Sequence, residues 1–132
     1  MEKKYELTNI TKKYRGKILY KIRALKNFGD VKTGDLGGWV ESENNLSQKD
    51  ECWIYNEAIC MDNAKMFDNS KMFEYSVMYD NSKMYDYSVM HDYSVMYDNS
   101  VMHDYSVMYD NSRMHDKSVM CSYSVMCGYS KM

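Results

Sequence analysis

From Tyr55 onward the chain repeats its apolar and polar positions every six residues: YNEAIC MDNAKM FDNSKM FEYSVM YDNSKM YDYSVM HDYSVM YDNSVM HDYSVM YDNSRM HDKSVM CSYSVM CGYSKM, thirteen hexads without an insertion. Position 4 is always Ala or Ser, position 6 is Met in twelve hexads and Cys60 in the other, and position 5 is Val, Ile, Lys or Arg. The two fixed positions are two residues apart, the period of a β-strand, so a small residue and a Met point inward while positions 5 and 1 point outward. A helix is excluded, because a period of six drifts against 3.6 residues per turn and would scatter Met around the whole surface. The pattern predicts a solenoid of short parallel strands, each hexad forming one side of a coil and like side chains stacking in ladders about 4.8 Å apart. Positions 2 and 3 then form the corner. Asp and Asn suit it, since both bond their own backbone and Asn tolerates left-handed dihedrals. Tyr75, Tyr87, Tyr93, Tyr105, Tyr123 and Tyr129, all at position 3, conflict with a left-handed corner there.

Read from its inward aliphatic, as in Met78-Tyr79-Asp80-Asn81-Ser82-Lys83, the unit resembles that of the hexapeptide-repeat family of left-handed parallel β-helices. It departs from the family in two ways: Met replaces Ile, Leu or Val, and an aromatic replaces Gly or Ala. The resemblance implies an all-β, left-handed parallel β-helix with three hexads per triangular coil and just over four coils in residues 55–132. Residues eighteen apart, such as Tyr79 and Tyr97, are then expected to stack. Position 3 by itself does not separate a repeat of three hexads from one of two.

Residues 1–48 lack the hexad. They carry the apolar runs KILYKIRAL and GGWV, with turn signals at Tyr14-Arg15-Gly16-Lys17, Phe28-Gly29-Asp30 and Thr33-Gly34-Asp35. A small β-rich cap is predicted here, covering the first coil of a repeat domain that spans residues 49–132. The run RALKNFGDVKTGDLGGWVESENNLSQ resembles the leader of hexapeptide-repeat proteins encoded by phages and prophages of low-GC Gram-positive bacteria. Gly34, Gly37 and Gly38 belong to no phosphate-binding signature and are read as turn glycines.

Charge sharpens the division. Residues 1–54 carry 11 basic and 8 acidic side chains, and residues 55–132 carry 6 basic and 11 acidic ones. No membrane-spanning run or secretory leader is evident, so the expected location is the cytoplasm of a host bacterium. Cys52, Cys60, Cys121 and Cys127 form no CxxC pair and have no His at zinc-ligand spacing; they are read as reduced structural thiols, with no metal and no cofactor.

The resemblance also brings a chemistry. Enzymes of the family are typically trimeric acyltransferases in which a His acts as general base. Here the candidates are His91, His103 and His115, each replacing Tyr at position 1. Their twelve-residue spacing puts them on three different faces, and the preferred reading makes them substitutes for Tyr on an outward ladder. The Asp rows have two readings: a corner whose carboxylates accept backbone hydrogen bonds, or an acidic, Tyr-studded surface that engages a basic groove on a protein.

The leading expectation is a non-enzymatic phage-type protein that inhibits a host factor, an anti-defence protein of the anti-CRISPR kind. It would bind a nucleic-acid-handling host protein through Asp80, Asp86, Tyr87, Asp92, Tyr93, Asp98, Asp104 and Tyr105, without touching nucleic acid or membrane. A homodimer through the last coil is expected, with Cys121, Tyr123, Cys127 and Tyr129 at the contact. A phage assembly module and an acyltransferase are the competing readings.

Overall fold

A computed structural model describes residues 2–132. Strands β1 (Tyr5–Tyr14) and β2 (Lys17–Ala24) form an antiparallel hairpin, and β2 pairs antiparallel with β3 (Leu36–Val40). The ladder then changes direction: β3 runs parallel to β5 (Ile59–Cys60), which leads into β8 (Val77–Met78), β11 (Val95–Met96) and β14 (Arg113–Met114). These make the first face of a prism. A second face stacks β4 (Trp53–Ile54), β7 (Lys71–Met72), β10 (Val89–Met90), β13 (Val107–Met108) and β16 (Val125–Met126). The third stacks β6 (Lys65–Met66), β9 (Lys83–Met84), β12 (Val101–Met102) and β15 (Val119–Met120). The molecule is therefore a parallel β-solenoid of about five coils with three hexads in each. From β4 onward, strands stacked on one face pair residues eighteen positions apart, as in Val95↔Arg113 and Met102↔Met120. No helix among the described residues is long and apolar enough to cross a membrane.

Positions 4 and 6 face inward as the two-residue spacing predicts. Met66 and every position-6 Met through Met114 are fully buried, and so are Ser70 and every position-4 Ser through Ser112. Burying a hydroxyl without a partner would cost about 1–3 kcal/mol. Each Ser avoids this by donating its Oγ–H to the position-1 carbonyl of its own corner, for example Ser94 to His91 at 2.7 Å and Ser100 to Tyr97 at 2.8 Å. The interior is consequently a Met column lined by small hydroxyls whose bonds are closed locally.

The corner differs from the expectation. The left-handed residue is position 2, with φ of 56–60° from Asp62 to Ser122, and position 3 is not left-handed at any Tyr. The expected conflict at Tyr75, Tyr87 and the others is thus absent. Position 2 is selected by a second bond. Its N–H points to the preceding coil and is accepted there by the carboxylate one coil back: Asp80 N–H by Asp62 (3.1 Å), Asp98 by Asp80 (3.1 Å), Asp104 by Asp86 (2.9 Å) and Asp110 by Asp92 (3.0 Å). Asp meets both demands, tolerating positive φ and reaching one rung along the axis.

The N-terminal end is closed by non-repeating contacts. Trp53 meets Tyr5 and Phe28 edge-on, and the Gln48 side chain bonds the backbone of both Lys4 and Tyr5. Lys4 is fully buried, its Nζ donating to the carbonyl of Cys52 at 2.7 Å; burial lowers its pKa below the ordinary lysine value. Gly37 and Gly38 are not turn residues. They lie within β3, where a Cβ on Gly38 would sit 2.4 Å from the Ala58 carbonyl oxygen, so only Gly lets this strand seat on the first coil.

Candidate functional site

The hairpin does more than cover an end. It lies along the first face, where Leu19, Trp39, Ile59, Met61 and Val77 form a second buried cluster with Tyr14 and Tyr79 packed against it. Its cations are placed by that packing. Lys12 and Lys21 sit 4.6 and 4.8 Å from the Trp39 ring, and Arg15 lies 4.7 Å above Tyr79. The Tyr79 side chain raises the Arg15 pKa, and the Trp39 indole N–H, donating to Glu57 at 3.1 Å, holds that carboxyl below its usual range. Lys17 reaches both Glu41 and Asp62 at 3.5 Å. Between the hairpin tip and the edge of the solenoid is an open polar groove of about 360 Å³, lined by Lys17, Glu41, Asp62, Asn63, Asp80 and Asn81. Sequence reasoning missed it. Its signal was the basic turn Tyr14-Arg15-Gly16-Lys17, but nothing local says that this turn folds down a face.

The eight residues expected to bind a partner are not brought together. Asp80 and Asp98 lie on one edge, Asp86, Tyr87, Asp104 and Tyr105 on a second, and Asp92 and Tyr93 on the third. Spacings of six and twelve residues are thirds of a coil, so any such set is dealt out around the prism. The Asp carboxylates already hold the backbone of the next coil. The Tyr rings stack face to face along the axis, Tyr75 on Tyr93 at 5.3 Å and Tyr87 on Tyr105 at 5.2 Å, leaving their edges exposed. Tyr79 stacks on Tyr97 at 5.3 Å as expected.

The three His residues fall on three edges, each with a carboxylate at Nδ1. His91 is 3.6 Å from Glu74, His103 is 3.9 Å from Asp86, and His115 is 2.9 Å from Asp116. Aromatic neighbours fix the ring planes: His91 lies between Phe73 and Tyr109 at 4.9 and 4.8 Å, His103 lies under Tyr85 at 5.0 Å, and His115 under Tyr97 at 5.5 Å. Each carboxylate lies within ion-pair distance of its imidazole, so a positive charge developing on the ring would be met by a negative one. Asp98, His115 and Asp116 also bring three ligating atoms within 4.8 Å of one another, the one set among the described residues able to hold a metal ion.

The thiols divide. Cys52 and Cys60 are buried and structural, and burial pushes both thiols above their ordinary pKa. Cys121 and Cys127 are exposed, against the expectation of four structural thiols; Tyr123 and Tyr129 beside them are exposed as well.

No protein-family model matches the chain. Over 62 residues it is 37% identical to the uncharacterized acetyltransferase YdcK of Escherichia coli (strain K12). The matched segment is 46% of this chain and 19% of that protein, so the chain spans well under two thirds of its relative. This likeness to a protein named as an acetyltransferase overturns the expectation of a non-enzymatic anti-defence binder. With its stacked parallel coils and six-residue unit, the chain is a β-helix repeat protein.

Proposed function

We propose that the chain belongs to an acyl-transferring enzyme, moving an acyl group from a thioester donor such as an acyl-coenzyme A to an amine or hydroxyl acceptor. The observation that carries this reading is the likeness to the Escherichia coli protein named as an acetyltransferase. The geometry supports it through imidazoles whose Nδ1 faces a carboxylate and whose ring plane is held by stacking. In such a step, Nε2 takes the proton of the acceptor as its nitrogen or oxygen attacks the thioester carbonyl. Collapse of the tetrahedral adduct breaks the carbon–sulfur bond, and the departing thiolate takes up that proton. The carboxylate behind Nδ1 steadies the imidazolium that forms in between.

The test uses the ladder itself. Tyr occupies position 1 in several hexads, so His91→Tyr, His103→Tyr and His115→Tyr each keep the stack while removing the base. Thiol release from acetyl-coenzyme A is measured with a panel of primary amines. At least one substitution is expected to lower the rate about a hundredfold. Equal rates in all three variants and the parent chain would overturn the reading.

A further inference from the structure

One of the three His residues has a nucleophile on the next rung. β12 pairs with β15 through Met102↔Met120, and the His103 N–H donates to the Met120 carbonyl at 2.8 Å, so His103 and Cys121 hold the same position on successive coils. They are about one rung, 4.8 Å, apart along the axis. Above them the column continues as Phe67 and Tyr85, stacked at 5.1 Å, and Tyr85 on His103 at 5.0 Å. Asp86, 3.9 Å from His103 Nδ1, is itself fixed by the Asp104 N–H at 2.9 Å. Carboxylate, imidazole and thiol therefore descend one edge on three consecutive coils. The thiol is exposed, unlike Cys52 and Cys60.

The neighbouring edge supplies an internal control. Cys127 holds the same hexad position, is likewise exposed, and lies one rung below Tyr109, whose N–H donates to the Met126 carbonyl at 2.8 Å. The two thiols differ chiefly in what stands above them: an imidazole backed by a carboxylate in one case, a phenol in the other.

We propose that Cys121 is an acyl-accepting nucleophile, with His103 as its base, Tyr85 stacked on the imidazole to hold its plane and Asp86 as the nearby charge that favours the imidazolium. The assignment rests on the acyl-transfer reading and names the group that carries the acyl chain. His103 takes the thiol proton, and the Cys121 thiolate attacks the donor's thioester carbonyl. A new carbon–sulfur bond forms to Cys121 and the bond to the donor sulfur breaks. The donor leaves as a thiolate, recovers the proton from the imidazolium and departs as a free thiol. An acyl thioester remains on Cys121, ready for attack by an amine or hydroxyl; no electrons are exchanged with an oxidant.

The experiment needs no acceptor. The chain is incubated at neutral pH with S-acetyl-N-acetylcysteamine, and separately with iodoacetamide, and modification of Cys121 and Cys127 is quantified by fragment-ion mass spectrometry. Cys121 is expected to react about tenfold faster than Cys127 with both reagents, because His103 offers it a base for the thiol proton and Tyr109 offers Cys127 none. His103→Tyr is expected to bring the ratio close to one, with circular dichroism showing the fold unchanged. Equal modification of the two thiols in the parent chain would overturn the proposal, and so would a high ratio that survives His103→Tyr. Acetyl transfer to amines that persists in Cys121→Ser would also overturn it while leaving the acyl-transfer reading intact. An acetylated Cys121 that passes its group to no acceptor would uphold the nucleophile and count against the wider reading.

Discussion

The cap and the solenoid are both β-structure, yet they are stabilised in opposite ways. In the cap, each contact occurs once: Lys4 against the Cys52 carbonyl, Gln48 bridging two backbone groups, Gly38 under the Ala58 carbonyl. In the solenoid one small set of contacts recurs on every rung, Met on Met inside, Ser to its own corner, Asp to the coil that follows. A unique contact has no substitute when it is lost. A repeated one is shared with neighbours above and below, so damage there should remain local. Four experiments would break or sharpen that contrast.

The largest effect is expected at a central rung. Met96→Ala removes a fully buried side chain and should lower stability by about 3 kcal/mol, measured as a shift of the urea midpoint. Hydrogen exchange should show the protection lost mainly on the rungs beside Met96, with the cap unchanged. Next comes Gly38→Ala, where the added Cβ would press on backbone that cannot retreat; a loss of about 2 kcal/mol is expected, with exchange rising throughout the hairpin as β3 lifts from the first coil.

Smaller still is the corner. Asp98→Ala gives up both the acceptor for the Asp116 N–H and the tolerance of positive φ, and should cost about 1–2 kcal/mol. Asp98→Asn keeps an acceptor oxygen and the left-handed preference, so its midpoint should stay within about 0.5 kcal/mol of the parent. Equal losses for the two would show that charge, rather than shape, holds the edge.

The mildest test is alkaline pH. Burial raises the pKa values of Cys52, Cys60 and Tyr5, whose ordinary values are 9.0 for the thiols and 10.0 for the phenol. Below those values folded and unfolded chains bind the same protons at these groups. Above them only the unfolded chain ionises, and stability falls as pH rises. Each thiol should cost about 0.4 kcal/mol at its ordinary pKa, and Cys60→Ala should flatten the profile above pH 9. Lys4 acts in the other direction, because its lowered pKa means that the folded chain releases a proton first and stability climbs toward 10.5. Lys4→Met should therefore steepen the alkaline loss, placing the effect in the cap.

Much of the solenoid was legible because its two constraints are short-range. The spacing of Ser and Met fixes which positions point inward, and the structure follows it rung after rung. Which corner residue is left-handed was not legible, since Asp at position 2 and Asn at position 3 both tolerate that conformation. The deciding factor is the N–H of the following coil, eighteen residues away. The candidate site was harder for a related reason. The six-residue step by itself puts Asp80, Asp86 and Asp92 on three edges, as found, but the groove at the hairpin tip joins Lys17 and Glu41 to Asp62 and Asp80, residues far apart in the chain. The fall of the hairpin onto the first face depends on Leu19 and Trp39 meeting Ile59 and Val77, a pairing that no local pattern announces.

The eighteen-residue rung also sets how such a chain can change in length. Deleting Tyr97–Met114 removes one whole rung and brings His115 beneath Tyr79 in the place that Tyr97 held, so the rod is shorter with its edges in line. Deleting a single hexad keeps every inward Met inward but turns everything downstream by one third of a revolution. A column such as Asp86, His103 and Cys121 would then be divided between edges wherever the cut fell inside it. Length is thus a free variable in steps of eighteen, while angular position is a coordinate that any other in-frame gain or loss rewrites.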